Sequence, residues 1–191
     1  RNSEKSEYNS DMISPLPNDI AYIQFSSGST GIPKGTILTN SNIISNIKSI
    51  IDHYEMDCKD TILTWQPLTH CYGLTMFHLL PIVLGINQYL ISTETFMKNP
   101  LLWMEKVNEH RVTRLGTITF ALRHFMNLYK KSDRTFNWNL SCIKSITVGG
   151  EQVNTKIIND FADMLKIHKL SQCAIVPAYG LAEATTMVCS C

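Results

Sequence analysis

The sequence predicts an α/β fold in which a largely parallel sheet is flanked by helices. Short β-branched runs alternate along the chain with stretches whose apolar residues recur at helical spacing. Four polar segments, residues 26–35, 66–73, 149–152 and 179–183, each follow a strand-like run, where ligands gather in open sheets of this class. Apolar residues make up 44% of the 191 and charged residues 17%, a balance that supports a packed core.

Residues 1–18 are polar, with Pro15 and Pro17 near their end, and read as a linker or extended lead-in to a domain over 19–191. "AYIQF" reads as a strand, then comes a glycine-rich loop, then the strand-like "GTILT". Thr39 or Asn40 can cap a helix on which Ile43, Ile47, Ile50 and Ile51 share a face. "TILTW" is a strand ended by Pro67, "LTMFHLLPIVL" a buried helix bent at Pro81, and "INQYLIS" another strand. Pro100 sits at the first turn of "PLLWMEKVNEH". "VTRLGTI" is a strand, and the helix after it aligns Leu122, Phe125, Met126 and Tyr129. "IKSITV" leads into "GGE". A helix after Asn154 aligns Ile157, Ile158, Phe161, Met164 and Leu165, and "CAIVPAYG" closes the series.

Charge and cysteine usage exclude several function classes. The net charge is +1 and no window carries a basic stripe, so neither nucleic acid nor a membrane surface is an expected partner. The six cysteines show no C-x-x-C pair and no zinc spacing with histidine, as in a reduced cytoplasmic protein. The start, "RNSEKSEYNS", is too polar for a signal peptide, and "GLTMFHLLPIVLG" is too short to span a bilayer. A start at Arg1 and a stop at "TTMVCSC" suggest an internal segment of a longer chain.

The stretch "QFSSGSTGIPKG" carries the strongest chemical signal. Gly28, Gly31 and Gly35 let backbone N–H groups turn inward, Ser26, Ser27, Ser29 and Thr30 add hydroxyls, and Lys34 adds a positive charge. Such a set suits a polyphosphate. It is not a Walker A loop: Lys34 is followed by Gly35 and β-branched "TILT", not by Ser or Thr opening a helix.

These residues resemble the phosphate-loop signature of the adenylate-forming superfamily, which comprises acyl- and aryl-CoA synthetases, adenylation domains and fatty acyl-AMP ligases. "WQPLTHCYGL" is similar to that family's histidine motif, "SITVGGEQV" to its adenine-side loop, and "AYGLAEAT" to its aromatic-Gly-x-x-Glu motif, all in the family's order over about residues 21–188. "YGLAEAT" is most similar to the fatty acyl-AMP ligases, and "GINQYLIS" followed by "PLLWMEKVNEHRVT" resembles those that load polyketide and nonribosomal-peptide assembly lines; "GGE" is commoner in amino-acid-activating domains, a branch the histidine motif argues against. Cys71 and Tyr72 stand where the ligases usually have an acidic residue and methionine, and "TITFALRHF" lacks their usual proline and asparagine.

The resemblance implies that residues 19–191 are part of an adenylation domain that joins ATP and a carboxylic acid, a fatty acid by this likeness, into an acyl-adenylate with release of pyrophosphate. It implies phosphate binding by Ser26, Ser27, Gly28, Ser29, Thr30, Gly31 and Lys34, and Mg²⁺ binding by Glu183. Gly149, Gly150, Glu151, Tyr179 and Gly180 would border the adenine. His70 would stand beside the reacting carboxylate and Phe120 would line the acyl tunnel; Lys34, Glu183 and His70 form the expected catalytic set. An acyl carrier protein or coenzyme A would be the acceptor. The family's ribose-binding aspartate, its late lysine and its early N-terminal portion fall outside these residues. A non-catalytic nucleotide-binding scaffold is the reading from another class; intact Lys34 and Glu183 speak for the enzyme.

Overall fold

The computed structural model describes residues 14–26 and 33–191. Residues 1–13 of the expected lead-in, and Ser27, Gly28, Ser29, Thr30 and Gly31 of the glycine loop, lie outside the described residues. Leu16 and Pro17 are exposed but tethered: Asn40 Nδ2 donates to the Leu16 carbonyl at 2.9 Å and the Ser41 N–H to that of Pro17 at 2.8 Å.

Strand β1 (Ile20–Ser26) pairs antiparallel with β2 (Lys34–Thr39) in a two-stranded sheet of their own. The phosphate-type loop expected at the carboxyl edge of the parallel sheet instead joins the strands of this hairpin. The connection is too short for the dozen or so residues that a parallel crossover needs. Helix α1 (Asn40–His53) follows at once, with Thr39 as its cap in a reciprocal capping box with Asn42. Ile43, Ile47 and Ile50 are buried on one side of it, as their spacing predicts.

The main sheet has the order β4-β3-β5-β6-β7-β8. Strands β3 (Thr61–Thr64), β4 (Asn87–Leu90), β5 (Arg114–Thr117), β6 (Ser145–Val148) and β7 (Ile175–Gly180) run parallel, and β8 (Met187–Ser190) closes one edge antiparallel. Helices α2 (Leu80–Leu84), α3 (Thr93–Lys98), α4 (Leu101–His110), α5 (Thr119–Lys131) and α6 (Thr155–Leu165) complete the set. The helix expected to bend at Pro81 changes coil instead. Tyr72–Leu79 is a π-helix, the Leu80 N–H reaches the Thr75 carbonyl, and α2 takes over where proline has no N–H to give.

Neighbouring residues of β3 show how the layers divide. Ile62 joins Ile43, Ile47, Ile50, Met76, Phe77 and Leu80 on one face; Leu63 joins Trp103, Phe125 and Phe161 on the other. Gly116 sits in β5 on the Ile62 side because a Cβ there would stand 2.0 Å from the Phe77 ring.

At the amino edge, Asp60 is fully buried between Arg114 (3.2 Å), Lys144 (2.9 Å) and the Thr113 hydroxyl (2.6 Å). Burial by itself would raise its pKa, but the bonds from Thr113, Lys144 and Arg114 outweigh it and hold the carboxyl at about 2. This network ties the starts of β3, β5 and β6 together, so their carboxyl ends are presented in fixed register to the loops beyond.

Candidate active site

A cleft opens at those carboxyl ends. Its walls come from three segments far apart in sequence: His70, Cys71, Tyr72 and Met76; Thr147, Gly149 and Gly150; and Ala178, Tyr179, Gly180, Thr186 and Met187. Four of the five residues expected to border an adenine (Gly149, Gly150, Tyr179 and Gly180) thus meet His70 in one place.

The backbone explains why three of them are glycine. A Cβ at Gly149 would lie 2.7 Å from the Ala178 carbonyl oxygen, and one at Gly180 would lie 1.8 Å from that of Thr186. Gly150 turns with φ +81°, a region that favours glycine. The close approach at Gly149 and Gly180 is to the protein's own backbone. Tyr179 is 60% exposed, a large aromatic surface left on the cleft rim.

His70 is exposed, and its Nδ1 accepts the Tyr72 N–H at 3.1 Å. The neutral imidazole therefore carries its proton on Nε2, leaving one donor for a ligand. Gly73 lets this turn close, since a Cβ there would meet the Pro67 carbonyl at 2.3 Å. Beside it, burial pushes the Cys71 thiol up, keeping it protonated and unreactive.

Glu151 does not line the cleft. Its Oε1 accepts the Phe120 N–H at 2.7 Å, because α5 begins without a side-chain cap of its own and its free N–H groups attract a carboxylate. Phe120 is 51% exposed and outside the cleft wall, where it stacks on His124.

Ser26 and Lys34 face each other as the last register pair of the hairpin. A hydroxyl and an ammonium therefore stand at the two ends of the glycine loop. The turn Ala182–Ala184 packs against β1, so Glu183 lies on the hairpin side and not in the cleft wall. It borders a separate open groove with Ser41, Asn42, Ser45, Asn46 and Ser49 of α1. No group of three or more His, Cys, Asp or Glu side chains is arranged for a metal among the described residues.

One positioning residue escaped the sequence reading. The Asn46 amide donates to the Met187 carbonyl at 2.9 Å and accepts its N–H at 3.4 Å, acting as a strand partner for β8. It ties α1 to the strand beside Tyr179. An asparagine among the polar residues of an amphipathic helix carries no sequence signal of that role.

The model of the family described as "AMP-binding enzyme" matches residues 1–191. The medium-chain-fatty-acid–[acyl-carrier-protein] ligase of Moorena producens is 32% identical over 97% of this chain and 30% of its own length. The 4-hydroxyphenylalkanoate adenylyltransferase of Mycobacterium tuberculosis is 31% identical over 88% of this chain and 28% of its own. Among solved structures, the fatty acyl-adenylate ligase from L. pneumophila, in complex with acyl adenylate and pyrophosphate, superposes with TM-score 0.85 at 31% identity, over 93% of this chain and 31% of that one. McyG A-PCP complexed with phenylalanyl-adenylate gives TM-score 0.90 at 30% identity, over 98% and 29%. The chain spans about a third of the length of these relatives. No helix among the described residues is long and apolar enough to cross a membrane.

Proposed function

Because the chain belongs to the AMP-binding enzyme family, we propose that its residues form the nucleotide and acid side of an adenylation site. ATP and a fatty acid would become an acyl-adenylate and pyrophosphate, with a carrier-protein thiol as the acceptor. We place residues 19–191 in an adenylation domain accordingly. The observation that carries the proposal is the single cleft in which His70, Gly149, Gly150, Tyr179 and Gly180 converge. The names of two relatives support the finer reading, one a ligase acting with an acyl-carrier protein, the other bound to acyl adenylate and pyrophosphate.

The reaction must bring a carboxylate to a polyanion. A carboxylate oxygen forms a bond to the α-phosphorus while the bond from that phosphorus to the bridging oxygen breaks, and pyrophosphate leaves with the electron pair. Lys34 and Ser26 flank the loop that would take the phosphates, offsetting charge that builds on the leaving group. The His70 Nε2–H offers a hydrogen bond to the acid, orienting it without taking a proton. The Tyr179 ring offers its exposed face to the base.

The chemistry of Glu183 fits Mg²⁺, which takes one or two carboxylates and fills its remaining positions with phosphate oxygens and water. When bound, the ion neutralises phosphate charge and stabilises the departing pyrophosphate.

The test is product identity. The complete polypeptide that carries these residues, given ATP labelled at the α-phosphate and fatty acids, is expected to form acyl-AMP, then to pass the acyl group to holo-acyl-carrier protein in preference to coenzyme A. ATP cleavage to ADP, or no acid-dependent product, would overturn the reading.

A further inference from the structure

We propose that Asn46 is a positioning residue that sets the span between the phosphate hairpin and the base wall of the cleft; the proposal rests on the nucleotide placement in the adenylation reading above. The two regions belong to different sheets. Lys34 stands at the far end of the β1–β2 hairpin, while Tyr179 and Gly180 lie in β7 of the main sheet. No strand of the hairpin pairs with the main sheet among the described residues. Packing and side-chain bonds therefore fix their separation, not a shared ladder. On the acid side, Gln24 Nε2 donates to the Thr69 carbonyl at 3.1 Å, next to His70. On the base side, the tie is the pair of bonds between the Asn46 amide and Met187, a residue that lines the cleft and pairs with Gly180.

Nothing soft separates Asn46 from Lys34. Thr39, the last residue of β2, is also the cap of α1, and its reciprocal bonds with Asn42 lock the junction. Ile43, Ile47 and Ile50 seat the helix on the layer that holds Met76, Phe77 and Leu80. Strand, cap and helix move as one body.

The other end is matched to it. Strand β8 is the edge of the main sheet, and the Asn46 amide takes the place of a further strand there. The pairing of β7 with β8 is irregular between Tyr179 and Gly180, where Met187 lies opposite, so the ladder is interrupted at the point Asn46 holds. Two turns further along α1, His53 Nε2 lies 2.7 Å from the Ser190 hydroxyl. The helix rises about 10.5 Å from Asn46 to His53, and the strand about 10 Å from Met187 to Ser190. The helix thus lies along β8 with both anchors in step, a strut of set length.

The consequence is a test of bivalency. Intact ATP gains over its separate halves only while the places for base and phosphates stand at the right distance. Loss of the Asn46 bonds frees that distance and leaves the side chains of Tyr179 and Lys34 as they were.

The experiment is equilibrium dialysis of labelled ATP with the complete polypeptide, with displacement by adenosine and by tripolyphosphate, in the parent, Asn46→Ala and His53→Ala. His53 is exposed, so its variant carries the test should Asn46→Ala not fold. Asn46→Ala is expected to weaken ATP about tenfold and His53→Ala about threefold, the range that one hydrogen bond spans. Adenosine and tripolyphosphate are each expected to bind as in the parent. A merely structural role would weaken one or both halves along with ATP. That parallel loss would overturn the role of Asn46, as would parental ATP affinity in folded Asn46→Ala, or in His53→Ala where the first does not fold. A parent that binds ATP yet exchanges pyrophosphate with no acid would overturn the adenylation reading and leave the strut standing on the dialysis result. A parent that binds no ATP would overturn both.

Discussion

The carboxylate of Glu151 accepts the backbone N–H of Phe120 at 2.7 Å, so the loop after β6 caps the helix that follows β5. A second bond runs beside it, from the Gly149 N–H to the Thr117 carbonyl at 3.2 Å. Two neighbouring loops at the rim of the cleft are thereby joined. Glu151→Ala is expected to lower stability by about 1 kcal/mol, the usual size of a lost N-terminal cap, and Glu151→Gln by less because its amide oxygen still accepts. Urea unfolding checks this, with equal losses in the two variants as the contrary result.

Gly180 permits the closest backbone approach at the cleft wall, with the Thr186 oxygen 1.8 Å from where a Cβ would be. Gly180→Ala must push β7 and β8 apart beside Tyr179, because the obstacle is backbone and cannot rotate away. The expected result is a loss of nucleotide binding together with about 1–3 kcal/mol of stability. Calorimetric titration with ATP and thermal unfolding read both. An alanine variant with parental affinity and melting temperature would show that the strands give way freely.

Asp60 makes stability depend on acid. Its folded pKa of about 2 lies below the ordinary 3.8, so its contribution is fully present above about pH 4 and is lost as pH falls toward 2. Asp60→Asn is expected to lower stability at neutral pH, because it leaves Arg114 and Lys144 without their buried partner, and to flatten the acid limb. Urea midpoints measured from pH 6 to pH 2 check it. Parallel curves for parent and variant would contradict this assignment.

Much of the fold was legible because its core obeys simple periods. Ile43, Ile47 and Ile50 announce α1, and Ile157, Ile158 and Phe161 announce α6 at the spacing their burial requires. Other elements had no such signal. Helix α3 is six residues long and anchored by Phe96 as its one buried side chain, while β8 has no fully buried residue and owes its place to Asn46 and to β7. The π-helix is apolar on nearly every side, so its sequence shows no period by which to choose a coil.

The site was legible as a set of segments more than as a set of roles. His70, Gly149 and Tyr179 meet in the cleft, as motif order led one to expect. Glu151, Phe120 and Glu183 stand outside its wall; for Glu151 and Phe120 the reason is the pull of an uncapped helix start on a carboxylate 31 residues away in the chain. The Asp60 network was hidden for the same reason, its Thr113 partner being 53 residues away.

The central claim, that this chain carries the phosphate and acid side of an adenylation site, is tested most directly at Lys34. The residue is exposed at the end of a hairpin, so Lys34→Ala is expected to leave stability within about 0.5 kcal/mol of the parent. Acid-dependent ATP–pyrophosphate exchange by the complete polypeptide is the measurement. The account predicts exchange in the parent and a fall of about a hundredfold or more in Lys34→Ala, the size expected when one preorganised charge on the leaving group is removed. Undiminished exchange in that variant, or ATP binding by the parent with no exchange for any acid, would contradict it.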